Sequence, residues 1–370
     1  MNDRKRILII ENSRQVTGAL KSICAMANDL QNDFDFIFIL PAGSAATKWL
    51  QSNSSFKVIE VTMMEISKSW RSILYVPSLI MSALRIKKII QEEKIEIVHS
   101  NDLYNLIGPT LRSFGVKFRY ICHVRFMPGA FPPWLYNYWL NRQLRAAEKI
   151  IAVSDVLKSK LMSDPKIIRI HDRMLLTSSD QPTGKRNGNT ILYLSNIIPG
   201  KGHDRAIATL AVIHEKYPSW ILKFVGSDMG LEKNRRYRED LKGIAASLGI
   251  DDAIEWNDFA NDVAAEYSSA DIFANFSSSE SFSMTCLEAQ YHGCCVVATN
   301  SGGPAEIIID EKTGFLVAVD NINAMSGAVE KLMEDPPLRE SMGAAGARNV
   351  REKFGPEKTS GALRSVYLQS

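Results

Sequence analysis

The sequence predicts an α/β protein with two doubly wound, parallel-sheet domains, and three observations carry that expectation. Strand-like apolar runs alternate with amphipathic helical stretches from end to end, as strand–helix–strand units with parallel sheets require. Several runs are almost continuously apolar, the pattern of strands covered by helices on both faces. The length of 370 residues favours two cores over one.

Taken in order, "RILIIE" (6–11), "DFIFIL" (35–40), "KVIEV" (57–61), "IEIVHS" (95–100), "FRYICHV" (118–124) and "KIIAVS" (149–154) read as strands of the first half. "TILYLS" (190–195), "ILKFVG" (221–226), "AIEWN" (253–257), "IFANFS" (272–277), "CCVVAT" (294–299) and "TGFLVAV" (313–319) read as strands of the second. Between them, "LTSSDQPTGKRNGNT" is rich in Ser, Thr, Gly and Pro and lacks apolar periodicity, which marks a linker. The expected organisation is an N-terminal domain over 1–178, a linker over 179–189 and a C-terminal domain over 190–352, with a final segment at 353–370. Two open α/β domains so joined are expected to face each other across a cleft, with ligands beyond the carboxyl ends of the strands.

Composition narrows the function classes. With 45% hydrophobic and 23% charged residues, the chain has the make-up of a soluble globular protein. No apolar run approaches the roughly 18 residues of a membrane span; "SILYVPSLIMSAL" falls short and contains a proline. The start, "MNDRKRILIIEN", is charged and enters a strand directly, so no signal peptide is expected. Five cysteines without metal-ligand spacing fit buried free thiols in a reducing cytoplasm. Residues 1–180 hold 25 Lys+Arg against 16 Asp+Glu, net +9, whereas the remainder holds 19 against 25, net −6. A basic first half suits an anionic partner such as a membrane surface or nucleic acid; a solvated basic face without a partner explains it equally.

The residues that carry chemistry follow strands. Gly18, opening a helical stretch after the first strand, suits a phosphate at a helix N-terminus or a plain turn. No GxGxxG or GxxxxGK[ST] run is present, which speaks against a nicotinamide dehydrogenase. His123, at a strand's carboxyl end, reads either as a contact to a reacting sugar or phosphate or as a structural histidine; His99 has a similar position. Lys201 lies between two glycines just before a helix in "YLSNIIPGKGHDRAI", a setting for a diphosphate. There the helix dipole supplies roughly 0.3–1 kcal/mol and a charge-assisted hydrogen bond about 1.5–3 kcal/mol. The lysine therefore outweighs the dipole.

In "SSSESFSMTCLEAQ" (277–290), Glu280 ends a serine run and Glu288 sits about a turn into a helix, with the amides of Phe282 to Thr285 between them. Two carboxylates allow an acid/base pair of glycosidase type. A carboxylate beside free amides and a lysine stays ionised, however, and is a poor general acid at neutral pH. Ionised carboxylates suit sugar and ribose hydroxyls, and the amides suit a diphosphate.

These residues resemble the retaining glycosyltransferases of family 4, with the GT-B fold. "ESFSMTCLEAQYHGCCVVATNSGGPAEIIIDEKTGFLV" is similar to that family's E-x7-E region and its following strands, "YLSNIIPGKGHDRAI" to its diphosphate loop, and "LKFVGSD", with Gly226, to the strand before the nucleotide pocket. "AEKIIAVSDVLKSKL" is similar to the end of its N-terminal domain. The resemblance implies that Glu280 holds donor-sugar hydroxyls and Glu288 ribose hydroxyls, that Ser281, Phe282, Ser283, Met284 and Thr285 offer amides, and that Lys201 neutralises the leaving diphosphate. It places His123 beside the donor sugar, Gly18 against the diphosphate and Asn196 in the diphosphate loop. It further implies a nucleotide-sugar co-substrate of UDP or GDP type, no metal or other cofactor, and retention by front-face attack. The acceptor would be a glycan or lipid-linked molecule in polysaccharide, lipopolysaccharide or glycolipid synthesis. The final helix, at about 355–370, would cross back to the first domain.

Three departures from the family pattern stand out: Asn196 stands where an arginine is usual, Ser281 and Ser283 replace glycines, and Gly18 stands alone where a glycine pair is usual. The reading from sequence is thus a cytoplasmic hexosyltransferase-type enzyme without a nucleic-acid partner. "FMPGAFPPWLYNYWLNRQLR" (126–145) reads either as a peripheral contact with anionic lipid on the inner face of the plasma membrane or as an internal helix. The rivals are a catalytically silent nucleotide-sugar-binding partner of a biosynthetic complex and a related epimerase or phosphorylase.

Overall fold

The computed structural model describes residues 4–64, 74–175, 186, 188–258, 260 and 262–369. Most of the linker expected at 179–189, and the first residues of the apolar stretch at 72–84, lie outside those residues. The chain forms two compact units, Met1–Leu175 with Phe354–Ser370 and Leu176–Lys353.

The first unit runs β1 (Arg6–Ile10), α1 (Gly18–Leu30), β2 (Asp35–Pro41), α2 (Ala45–Asn53), β3 (Lys57–Val61), α3 (Tyr75–Glu92), β4 (Ile97–Ser100), α4 (Ile107–Ser113), β5 (Arg119–Val124), α5 (Pro133–Ala146), β6 (Lys149–Ala152), α6 (Asp155–Lys160) and β7 (Ile167–Arg169). The second runs β8 (Thr190–Leu194), α7 (His203–Ile213), β9 (Ile221–Val225), α8 (Glu232–Ser247), β10 (Ile254–Asn257), α9 (Val263–Ser269), β11 (Ile272–Asn275), α10 (Met284–Tyr291), β12 (Cys295–Thr299), α11 (Pro304–Ile307), β13 (Gly314–Val317), α12 (Ile322–Glu334) and α13 (Pro336–Lys353). The last helix, α14 (Ser360–Leu368), belongs to the first unit.

Every strand pairing is parallel among the described residues. The first sheet has the order β3-β2-β1-β4-β5-β6-β7 and the second β10-β9-β8-β11-β12-β13. In each, the order reverses once, between β1 and β4 and between β8 and β11. Ligands of doubly wound sheets bind at such reversals, beyond the strand ends. Each sequence-predicted strand is present. Strand β7 was not anticipated, because three residues are too few to show a period.

The core explains why α14 returns. Its inward stripe of Leu363, Val366 and Tyr367 packs among Leu30, Phe34 and Phe36. Tyr367 meets Phe34 edge-on at 5.4 Å. Burying each such side chain stabilises by about 1.5–3 kcal/mol, whereas the Arg364–Asp33 pair is exposed and screened by solvent. Apolar packing therefore holds the helix. Arg119 completes the joint, donating from Nη1 to the Tyr367 carbonyl (2.7 Å) and from Nη2 to that of Val366 (3.0 Å). A cation there satisfies carbonyls at a helix C-terminus. Among the described residues no helix is long and apolar enough to cross a membrane.

Candidate functional site

In the second unit, the chain leaves β8 at the reversal and reaches α7 through "SNIIPGKG". Gly200 and Gly202 both adopt left-handed backbone, with φ of 89° and 79°, so the lysine between them is presented by a turn that L side chains resist. At Gly202 a Cβ would also lie 2.1 Å from the Phe276 carbonyl oxygen. The buried Tyr193 braces this turn, donating to the Lys201 carbonyl (2.5 Å) and accepting from the Phe276 amide (2.8 Å). The Ser278 amide donates to the Gly200 carbonyl at 2.9 Å. Gly202→Ala is expected to destabilise the protein by about 2–4 kcal/mol, the sum of left-handed strain and overpacking; a shift in the urea midpoint measures it.

Across the same reversal, the chain leaves β11 through the serine run. Backbone bonds fasten Glu280 to the segment after β12: its amide donates to Ser301 (3.0 Å) and its carbonyl accepts from Gly303 (2.9 Å). Gly303 leaves no room for a Cβ, which would sit 2.2 Å from the Phe282 carbonyl oxygen. So placed, the Glu280 carboxylate accepts from Lys201 Nζ at 2.7 Å. Helix α10 then starts at Met284, with Ser283 as its N-cap. Ser283 has φ 82°, so it takes the conformation a glycine would adopt freely; Ser281 does not. The strain is of order 1–3 kcal/mol. Instead of capping the helix, the Ser283 hydroxyl accepts from Asn275 Nδ2 (3.2 Å), which also reaches Thr285 Oγ1 (3.3 Å).

Helices α7 and α10 thus both begin with a left-handed residue and no side-chain cap, and the Lys201–Glu280 pair lies in the loops that lead into them. Uncapped helix N-termini with an adjacent lysine form a ready anion site. One turn into α10, Glu288 accepts from the buried Tyr267 hydroxyl at 3.1 Å. Exposed Asn196 and buried Gly226 meet at the strand ends, where a Cβ on Gly226 would lie 3.1 Å from the Asn196 amide nitrogen and 1.9 Å from the Ser195 carbonyl oxygen. That approach demands glycine.

Gly18 and His123 belong to the other unit. Gly18 is the first residue of α1, whose N-cap Thr17 accepts from the Leu20 amide (3.2 Å). His123 is fully buried at the end of β5. Burial, then the nearby Arg125 and His99, holds its pKa well below the ordinary histidine value. Its Nδ1 lies 2.8 Å from His99 Nε2. Two residues on, Arg125 pairs with Asp172 and donates to the Asn101 side chain (2.9 Å from Nη2), and Asn101 in turn donates to Glu11. These groups cluster at the carboxyl edge of the first sheet.

Sequence reasoning assembled Lys201, Glu280 and the start of α10, but missed the residues that hold them. Tyr193 and Asn275 lie in strand runs and read as core. Asn275 had a signal, an amide in an otherwise apolar strand that needs partners. Gly303 had none.

Known proteins resemble this chain in sequence and in fold. The sequence model of glycosyl transferases group 1 matches residues 177–349, and that of glycosyltransferase family 4 matches 31–171. An uncharacterized glycosyltransferase of Haemophilus influenzae is 29% identical over 236 residues, covering 60% of this chain and 64% of the relative. A GDP-mannose-dependent alpha-(1-6)-phosphatidylinositol monomannoside mannosyltransferase of Mycolicibacterium smegmatis is 32% identical over 163 residues, 42% of this chain and 41% of the relative. The chain spans less than two thirds of the length of either. Among solved structures, Anabaena HepE in complex with UDP and glucose superposes with a TM-score of 0.83 at 19% identity, covering 99% of this chain and 100% of that one. That likeness is one of fold, the GT-B fold.

Proposed function

The chain belongs to the group 1 and family 4 glycosyltransferases, and on that premise we propose that it transfers a sugar, with retention and without a metal, from a UDP- or GDP-type nucleotide sugar to a glycan or lipid-linked acceptor. One observation carries the reading: a lysine turned out by two left-handed glycines, paired with Glu280, between two helix N-termini that no side chain caps. A nucleoside diphosphate leaving from a sugar carries the charge such a site stabilises. HepE was solved with UDP and glucose and the mycobacterial relative is GDP-mannose-dependent, which supports either base. Glu280 is the candidate partner of sugar hydroxyls, Glu288 of the ribose, and Gly226 of the nucleotide.

The deciding experiment is a thermal-shift panel of UDP, GDP, ADP and their sugars, followed by turnover in the presence of EDTA. Selective stabilisation by one nucleotide class and EDTA-resistant transfer, lost in Glu280→Ala, are the expected results. No stabilisation by any nucleotide would sink the proposal. The second reading, a silent nucleotide-sugar-binding partner, draws on the exposed Asn196, which supplies no charge where the family keeps arginine; binding without turnover on any donor would establish it.

Membrane contact belongs to the same reading. Helix α5 buries Tyr136, Trp139 and Leu140 yet leaves Trp134 72% exposed and Tyr138 51%. Helix α3 exposes Val76, Ile80, Met81 and Leu84 beside Arg85 and Lys88, and α4 packs against both helices. An apolar stripe flanked by cations suits anionic lipid, at about 1 kcal/mol per basic residue near the surface. Flotation with phosphatidylserine vesicles at low salt is expected, reduced by Met81→Glu/Trp134→Glu; equal recovery with neutral vesicles would count against it.

A further inference from the structure

We propose that Tyr367 and His99 form a buried hydrogen-bonded chain that fixes His123 as a neutral donor, its proton on Nε2, at the carboxyl edge of the first sheet. Tyr367 Oη lies 2.6 Å from His99 Nδ1, and His99 Nε2 lies 2.8 Å from His123 Nδ1. All three side chains are 0% exposed. The two imidazole planes lie within 19° of each other, with ring centroids 4.7 Å apart.

The direction of one bond sets the rest. Burial raises the Tyr367 pKa, so the phenol keeps its proton. Among the described residues its hydroxyl has one hydrogen-bond partner, His99 Nδ1. A buried O–H that donates to nothing is costly; the Tyr367 hydroxyl therefore donates to Nδ1. A neutral imidazole with an accepting Nδ1 carries its proton on Nε2. His99 Nε2–H then donates to His123 Nδ1, which by the same rule leaves the His123 proton on Nε2. The opposite direction would strand the phenol proton. Charging either ring is opposed by burial and by Arg125, which drop His99 to about 3 and His123 well below the ordinary value.

His123 Nε2 is buried and has no partner among the described residues. It is an N–H awaiting an oxygen acceptor, and it has no lone pair with which to take a proton. The inference rests on the transferase reading only for the identity of that acceptor, an oxygen of a substrate. There His123 stabilises oxygen charge and does not deprotonate the acceptor hydroxyl. His99 and Tyr367 touch no ligand in this scheme and are positioning residues; the tyrosine acts from the far end of the sequence, 268 residues from His99.

Selective 15N-imidazole labelling of the full chain, with long-range 1H–15N correlation, reads the tautomer of each of the six histidines. His123→Gln identifies the His123 signals. The expected spectrum at neutral pH shows His123 protonated at Nε2 and bare at Nδ1. In Tyr367→Phe, both His99 and His123 are expected to populate two tautomers, and kcat to fall about tenfold, the worth of one lost hydrogen bond, with donor KM unchanged. Rings protonated on Nδ1 in the unsubstituted protein, or a tautomer that Tyr367→Phe leaves intact, would overturn the proposal. The unsubstituted spectrum decides even if the variant fails to fold. The expected spectrum in a protein that binds no nucleotide would instead refute the transferase reading and leave the hydrogen-bonded chain standing.

Discussion

Lys201→Ala is expected to lower kcat by about 10²- to 10³-fold, the usual loss when one preorganised donor to a developing anion is removed. The helix N-termini of α7 and α10 remain in that variant, and their dipoles supply only roughly 0.3–1 kcal/mol each. They cannot replace the cation. Lys201 is paired with Glu280 at 2.7 Å, so the carboxylate either aims the lysine or holds the sugar. Glu280→Gln separates the two roles, because it keeps an acceptor and removes a charge. If Glu280 mainly aims the lysine, nucleotide KM rises and kcat changes little. If it binds the sugar as its bond breaks, kcat falls with KM nearly constant. Steady-state kinetics on the donor selected by thermal shift reads both. A Lys201→Ala enzyme with kcat within threefold of the unsubstituted protein would remove the lysine from the chemistry.

Arg125→Met is expected to cost about 3–5 kcal/mol of stability, since it leaves the Asp172 carboxylate buried and unneutralised. The side chains of Arg125 and Asp172 are only 5% and 7% exposed. Ser22 donates to the same Asp172 oxygen at 2.8 Å, but a hydroxyl does not cancel a charge. Arg125 also donates from Nε to the Asn101 carbonyl at 3.1 Å, so the loss spreads along the strand ends. The double variant Arg125→Met/Asp172→Leu removes both charges, and apolar replacement of a whole buried pair is often close to neutral. It is expected to recover most of the lost stability. Urea unfolding at constant m-value reports both numbers; a double variant no more stable than the single one would mean that the pair's worth lies in its hydrogen bonds.

The strand runs and their parallel pairing were legible because both faces of each sheet are covered, which makes each strand an apolar block. Strand order was not, since nothing local in "KIIAVS" distinguishes a neighbour of β5 from a neighbour of β2. The turn at the Gly-Lys-Gly run was legible through the two residues that permit left-handed backbone, and both adopt it. The Lys201–Glu280 pair spans 79 residues and exists only once β8 and β11 are adjacent. Ser283 was noticed as a departure from glycine, and the structure shows why the position matters: the serine occupies the left-handed conformation and is held there by Asn275. Tyr367 escaped notice, and His99 was seen only as a second histidine at a strand's carboxyl end. Each looks like an ordinary strand or helix residue, and their relation appears only when α14 docks.

That docking also sets an order of events at synthesis. The first unit is interrupted in the chain by residues 176–353 and completed by 354–370. At about 5–20 residues per second, a ribosome takes roughly 10–35 s to make the intervening stretch. During that interval the surface around Leu30, Phe34 and Phe36 is without the helix that covers it. The nascent first unit therefore offers a sticky apolar groove to chaperones and to other chains, and its last histidine bond forms only after the second unit has left the ribosome.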